Sequence, residues 1–284
     1  MTLVERLRLL FPEASGRSLK QWLTLGRVRV NGAIVRDGRV TVGAEDAVTL
    51  GVPRAAFPAE FRLIHEDDQL LVIDKPPGLL TIATERERDR TAYRLLWDYL
   101  GAGTPPRRPF VVHRLDRDTS GLVVFAKTVA AKRRLQAQFE ARSVERVYLA
   151  LVESRVRADA GTLASRLVED RSLRVRQTRT AGERGRGRRE GKDAITQYRV
   201  LERRRDTTLL ELALGTGRRR QIRVQLAHLG HPIVGDADHG GRLRRGGRLW
   251  LHAARLGFVH PVSGAPMRFE SAPPPGFSRR GSGV

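Results

Sequence analysis

Nine consecutive residues, His113-Arg114-Leu115-Asp116-Arg117-Asp118-Thr119-Ser120-Gly121, bring together two carboxylates, three cationic or imidazole side chains and two hydroxyls. A carboxylate buried in such a setting tends to neutralise through desolvation unless a cation pairs with it. The string therefore gathers ionisable and hydroxyl groups that could serve acid–base or electrostatic chemistry. Its last four residues also suit an ordinary turn in which Asp and Ser bond nearby backbone amides.

The flanks, Val111-Val112 and Leu122-Val123-Val124-Phe125, read as strands, so the string is a turn leaving the edge of a sheet, where rigid backbone lets side chains face a cleft. Other strands are expected at Gln69 to Asp74, Val147 to Val152, Ile195 to Leu201, Thr208 to Leu214, Leu249 to Val259 and Met267 to Glu270, with helices at Thr91 to Leu100 and Val129 to Ala141. Many strands with few intervening helices predict an α+β fold with a mixed, mostly antiparallel sheet over residues 61–275. Residues 171–192 lose all pattern, with an Arg/Gly-rich centre, and read as a mobile, polyanion-facing loop that builds no core. Residues 276–284 read as a frayed tail.

The first fifty residues form a small module of their own. Leu3, Leu7 and Leu10 share a helical face, and Ser15 or Ser18 caps a second helix carrying Leu19, Trp22, Leu23 and Leu25, ended by Gly26. Val28 and Val30 then lead into an Asn31-Gly32 hairpin turn. Residues 51–60, with two prolines and no period, are a linker.

The chain has 284 residues and a formal net charge of +22, from 53 Lys and Arg against 31 Asp and Glu, and no cysteine. Disulfides, thiolate nucleophiles and Cys-based metal sites are excluded. No apolar run spans a bilayer and no secretory signal opens the sequence, so a cytoplasmic, unexported protein is expected, with no membrane partner. The positive excess favours a polyanion over a neutral metabolite. All but five of the basic residues are arginine, which coding bias explains as well as function does.

The His113 to Gly121 string is similar to the signature of the RluA family of RNA pseudouridine synthases: His-Arg-Leu-Asp, two variable residues, then Thr-Ser-Gly. Further segments resemble that family in the same order: Leu70 to Leu79 with Lys75-Pro76-Pro77-Gly78, Arg146-Val147-Tyr148-Leu149-Ala150, Gly217-Arg218 with Gln221-Ile222-Arg223-Val224, His231-Pro232-Ile233-Val234-Gly235-Asp236, and Leu251-His252-Ala253. The resemblance implies a pseudouridine synthase fold that isomerises uridine in RNA, with no cofactor and usually as a monomer. It makes Asp116 the catalytic carboxylate, Arg223 its cationic partner and Tyr148 the phenol lying against the target base. Ile222 and His113 join the substrate pocket, and Arg114 fills the space left by the flipped-out base. Thr-His in many relatives is Arg219-Arg220 here, and His is Gln225.

Residues 2–50 resemble the S-four-like RNA-binding module named after a small-subunit ribosomal protein, which assigns Lys20, Arg27 and Arg29 to RNA phosphates. A module of that kind before a catalytic domain favours ribosomal RNA of the large subunit over transfer RNA. A non-catalytic RNA-binding or ribosome-assembly factor on the same fold is the reading from another class, and the trio Asp116, Tyr148 and Arg223 argues against it.

Nucleotide-cofactor sites fit poorly. Gly215-Thr216-Gly217 opens like a phosphate loop, but Arg220 stands where the third glycine is needed. His228, His231, Asp236, Asp238 and His239 crowd together with spacing that matches no metal template, so no metal is expected.

Overall fold

In the computed structural model, which describes residues 1–24, 26–51, 57–85, 87–101, 107–170, 175–178, 191–242 and 247–277, helix α1 (Leu3–Leu10) starts from a reciprocal cap. Thr2 accepts the Glu5 amide while the Glu5 carboxylate accepts the Thr2 amide. Helix α2 (Gly16–Thr24) starts from Ser15, whose hydroxyl accepts the Ser18 amide, and turns off at Gly26 with φ +63°. Strands β1 (Val28–Val30), β2 (Ala33–Ile34) and β3 (Val48–Leu50) form a small antiparallel sheet with β1 at its centre. Asn31 and Gly32, at φ 50° and 83°, give the primed turn that an Asn-Gly hairpin requires.

Leu3, Leu7, Leu19, Leu23 and Val28 make the core of this unit, each side chain contributing about 1.5–3 kcal/mol on burial. Leu10 departs from expectation: it is exposed, because α1 ends there and Phe11 turns in instead to meet Trp22 edge-on at 5.4 Å. The unit comprises Met1–Pro58 together with Arg94–Pro109. Phe57, inside the stretch read as a linker, packs edge-on against Tyr99 at 5.1 Å.

The second unit comprises Ala59–Tyr93 and Phe110–Val284. Its elements are β4 (Arg62–Glu66), β5 (Leu70–Lys75), the start of α3 (Ala92–Gly101), β6 (Phe110–Val111), β7 (Ser120–Ala126) and α4 (Val129–Glu140). There follow β8 (Glu145–Glu153), β9 (Ala160–Glu169), β10 (Val175–Thr178), β11 (Lys192–Arg203), β12 (Thr207–Leu214), α5 (Gln221–His228), β13 (Leu251–Val259) and β14 (Pro266–Glu270). Among the described residues, eleven strands form one sheet, in the order β10-β9-β11-β12-β8-β13-β7-β5-β4, with β14 on β13 and β6 on β7. Every pairing is antiparallel except β13 with β7, so the sheet is mixed and mostly antiparallel, as the sequence predicts.

The parallel seam sits beside the His113 to Gly121 turn. Gly121 has φ +112°, and a Cβ there would stand 2.2 Å from the Ala253 carbonyl oxygen, so only glycine lets the two strands close. On one side of the sheet Leu70, Val72, Leu122 and Val124 pack with Ala131 and Leu135 of α4.

Two expectations need correction. Part of 171–192 does build a core: Val175 on β10 is buried with Leu167, Ala194 and Val224, because β10 pairs with β9 and α5 lies over both. The Arg/Gly-rich centre, 179–190, lies outside the described residues. The tail is anchored at its start, since Phe277 is buried against Trp250 at 5.1 Å and its carbonyl accepts from Arg204; residues 278–284 lie outside the described residues.

Candidate active site

The turn carrying Asp116 is held by its backbone. Thr81 Oγ1 accepts the Leu115 amide at 3.1 Å and donates to the Leu115 carbonyl at 2.8 Å. The Gly78 amide donates to the Arg117 carbonyl at 2.9 Å. Lys75 Nζ, fully buried at the end of β5, donates to the carbonyls of Pro76, Leu79 and Arg117 at 2.8, 2.7 and 2.9 Å. Burial pushes this ammonium down to about 7, against the pull of Asp118 and Asp116. Residues on both sides of Asp116 are thus fixed to one loop while its carboxylate stays 20% exposed.

Arg223 reaches that carboxylate from α5. The helix is buried along most of its length, and its two glutamines are satisfied from β11, β9 and the loop that precedes the helix. Gln221 accepts from Thr216 and from the Arg218 amide and donates to the Ile195 carbonyl and to Thr196. Gln225 accepts from Thr196 and donates to Leu163, Ser165 and Ala194. Gln225 therefore belongs to the packing of the helix and not to the reacting face.

Between these anchors, Arg223 Nη1 stands 3.7 Å from Asp116 Oδ2. Its other edge is occupied: Nε and Nη2 donate to Asp236 at 2.8 and 2.6 Å, and Nη2 also to Asp238 at 3.1 Å. Burial opposes the Arg223 charge, but the Asp236 hydrogen bonds outweigh it and raise the arginine further. Asp236 is driven to about 2, because Arg223 and His239 overcome a burial that works the other way. The two carboxylates of the acidic and imidazole cluster are thus engaged with arginines, Asp238 also pairing with Arg220 at 3.2 Å, while His239 meets Asp236 and His231 Nδ1 faces the Glu153 carbonyl.

Tyr148 lies on β8 between Leu212 of β12 and Ala253 of β13, 8% exposed. Burial pushes its phenol up to about 12, opposed by Arg146 and reinforced by Asp116. Ile222 is buried on α5 and Arg114 is exposed.

His113 is placed differently from its expected part in the substrate pocket. Its Nε2 accepts the Val124 amide at 3.2 Å and its ring stacks on Phe139 at 4.7 Å. Burial holds it down to about 3, so it is neutral. The ring closes the gap between the turn and β7.

Sequence reasoning assigned no role to Lys75 or Thr81. It also passed over a buried chain beneath the turn, in which Arg248 donates to Ser120 Oγ at 2.9 Å and Ser120 meets His252 Nδ1 at 2.9 Å. His252 Nε2 donates to the Ser271 carbonyl, so Nδ1 is the acceptor and the Ser120 hydroxyl the donor. The place of Ser120 and His252 each within a motif segment was the available signal.

In the first unit, Lys20 and Arg29 are exposed. Arg27 is engaged internally: Nε donates to the Gly51 carbonyl and the guanidinium lies over the Trp22 ring. A cavity of about 380 Å³ elsewhere, lined by Asp67, Gln69, His260 and Met267 among others, shares no residue with the Asp116 site. No helix among the described residues is long and apolar enough to cross a membrane.

An Asp–Arg pair at a strand-edge turn of a mixed, mostly antiparallel sheet equips this fold for chemistry at a fixed carboxylate. Residues 69–228 match the family model described as RNA pseudouridylate synthase. The chain belongs to that family. It is 36% identical to the ribosomal large subunit pseudouridine synthase D of Pseudomonas aeruginosa, over 94% of this chain and 87% of that protein. It is 40% identical to the protein of the same name from Xanthomonas campestris, over 94% and 83%. An uncharacterized RNA pseudouridine synthase of Bacillus subtilis, YlyB, is 35% identical over 92% and 86%. Among solved structures, human RNA pseudouridylate synthase domain containing 4 shares the fold, with TM-score 0.63 and 24% identity over 76% of this chain and 89% of that one.

Proposed function

We propose that this enzyme isomerises uridine to pseudouridine in large-subunit ribosomal RNA, in the cytoplasm and as a monomer, with Asp116 acting at the ribose of the target nucleotide. The observation that carries this reading is the Asp116–Arg223 pair at 3.7 Å on a turn immobilised by Thr81, Gly78 and Lys75. The relatives named for large-subunit ribosomal RNA support the substrate.

The reaction breaks the N1–C1′ bond and makes a C5–C1′ bond, and the proton leaving C5 is balanced by one gained at N1. An isomerisation needs no redox partner. It does need a detached base that turns without escaping, hence a closed wall and a carboxylate fixed at the sugar. Tyr148 meets the base as a neutral phenol, with Ile222 beside it, and serves as a proton relay: its oxygen accepts the C5 proton as its own hydroxyl proton passes on to water, so no charge builds on the oxygen. Arg114, exposed on the turn two residues before Asp116, fills the place vacated by the extruded base, whose unstacking costs a few kcal/mol. The first unit, through Lys20 and Arg29, adds phosphate contacts.

Tritium release from RNA labelled at uridine C5 tests the substrate. Unmodified large-subunit ribosomal RNA should release label at one or a few sites and transfer RNA none. The reverse result would overturn the assignment to ribosomal RNA.

A further inference from the structure

We infer that Asp236 is a positioning residue for the reaction, fixing the plane of Arg223 so that Nη1 alone is presented to Asp116. The inference rests on the proposed roles of Asp116 and Arg223 and extends them to a residue that meets neither sugar nor base.

A guanidinium is a rigid planar fork. Once Nε and Nη2 are bound by the two oxygens of one carboxylate, the direction of Nη1 is set. Asp236 makes that bidentate contact at 2.8 and 2.6 Å, with a side chain that is fully buried. The carboxylate is itself fixed. His239 Nδ1 lies 3.0 and 3.1 Å from its two oxygens, the Asp236 amide donates to the Ile233 carbonyl at 3.0 Å, and the Gly241 amide donates to the Asp236 carbonyl at 2.8 Å. Two glycines of the turn around it have no room for a side chain: a Cβ on Gly235 would meet the Arg248 carbonyl oxygen at 1.9 Å, and one on Gly241 the Ile233 carbonyl oxygen at 2.0 Å.

The division of Arg223 among Asp236, Asp238 and Asp116 has a chemical purpose. Paired fork to fork, Asp116 would be stabilised in the ground state, which lowers its reactivity. With the fork committed to Asp236, Asp116 has a positive charge 3.7 Å away and no bidentate lock. Removing Asp236 leaves Asp238, on Nη2 alone and half-exposed, as the remaining hold on that edge, so the plane of Arg223 is no longer set and can turn towards Asp116.

Single-turnover tritium release and RNA affinity are measured on the full chain for wild type, Asp236→Asn, Arg223→Lys, the double variant and Asp116→Asn. Arg223→Lys keeps the charge and removes the fork. We expect Asp236→Asn to slow the single-turnover step on the order of 10²-fold, with RNA Kd changed by no more than about twofold. In the Arg223→Lys background the same substitution should cost less than about threefold, because there is no fork left to orient. An unchanged rate in Asp236→Asn, or an equal cost in both backgrounds, overturns the inference. If Asp236→Asn does not fold, Asp236→Glu shifts the carboxylate by one methylene: a slower step at unchanged affinity supports positioning, and a wild-type rate overturns it. Activity retained by Asp116→Asn would instead sink the assignment of Asp116, a separate failure.

Discussion

The buried ammonium of Lys75 donates to the carbonyl of Arg117, 42 residues away in sequence, at 2.9 Å. Two further carbonyls, of Pro76 and Leu79, complete its three bonds. A lysine that satisfies three backbone acceptors fixes the residue after Asp116 without touching substrate.

Lys75→Met should therefore leave the Pro76 and Leu79 carbonyls without this donor and the Arg117 carbonyl with the Gly78 amide alone, costing on the order of 1–3 kcal/mol for each carbonyl left unpaired that water does not reach. With the folded pKa near 7 and the unfolded one near 10.5, the unfolded chain holds the extra proton between those values. Stability from this group accordingly rises with pH across that window, by at most about 1.4 kcal/mol per unit. Chemical denaturation of wild type and Lys75→Met from pH 7 to 10 checks it. Parallel pH dependences for the two proteins would contradict the assignment.

His113→Phe tests whether the imidazole packs or binds. We expect a loss of about 1–3 kcal/mol from the orphaned Val124 amide and unchanged RNA affinity. Because the folded pKa is near 3 and the unfolded value is higher, wild type loses this group's contribution as pH falls below the usual histidine range. The Phe variant lacks that acid-side slope. A fall in RNA affinity with normal stability would return His113 to the substrate pocket.

Gly121→Ala places a Cβ 2.2 Å from the Ala253 carbonyl oxygen at a backbone φ of +112°. The β13–β7 seam has to open, at a cost on the order of 3 kcal/mol. Thermal unfolding should show the lower Tm, and activity of the folded fraction should fall because Asp116 hangs on this seam. A Tm within a degree of wild type, on the order of the measurement error, would show that the seam is plastic.

Lys20→Ala and Arg29→Ala should weaken RNA binding without loss of stability, each reducing the salt slope of log K by about 0.7–0.9 if it contacts one phosphate. Arg27→Ala should cost stability as well, since its guanidinium covers Trp22 and holds the Gly51 carbonyl. Salt titrations of the three variants separate the two outcomes, and unchanged slopes for Lys20→Ala and Arg29→Ala would remove the first unit from RNA binding.

The reacting face was legible where residues that meet in space also lie in compact strings. His113 to Gly121 and Gln221 to Val224 each fit on one turn or helix, and apolar alternation marked the strands that carry them. Partnerships across the sheet were not legible. Lys75 looked like the end of a strand, and Asp236 like a member of a histidine-rich loop, because the carbonyls and the arginine they serve are set by tertiary packing. Strand β9 also escaped: its more buried positions Gly161, Leu163, Ser165 and Leu167 include a glycine and a serine, so burial alternates where hydropathy does not. His113 read as a substrate ligand because a motif position names a residue type and not the direction of its ring.

Tritium release from C5-labelled large-subunit ribosomal RNA by Asp116→Asn, alongside RNA affinity, bears most directly on the role of Asp116. We expect pseudouridine formation to disappear while Kd stays within about threefold of wild type, since one carboxylate facing a polyanion adds little to binding. Product formed at the wild-type rate would contradict it.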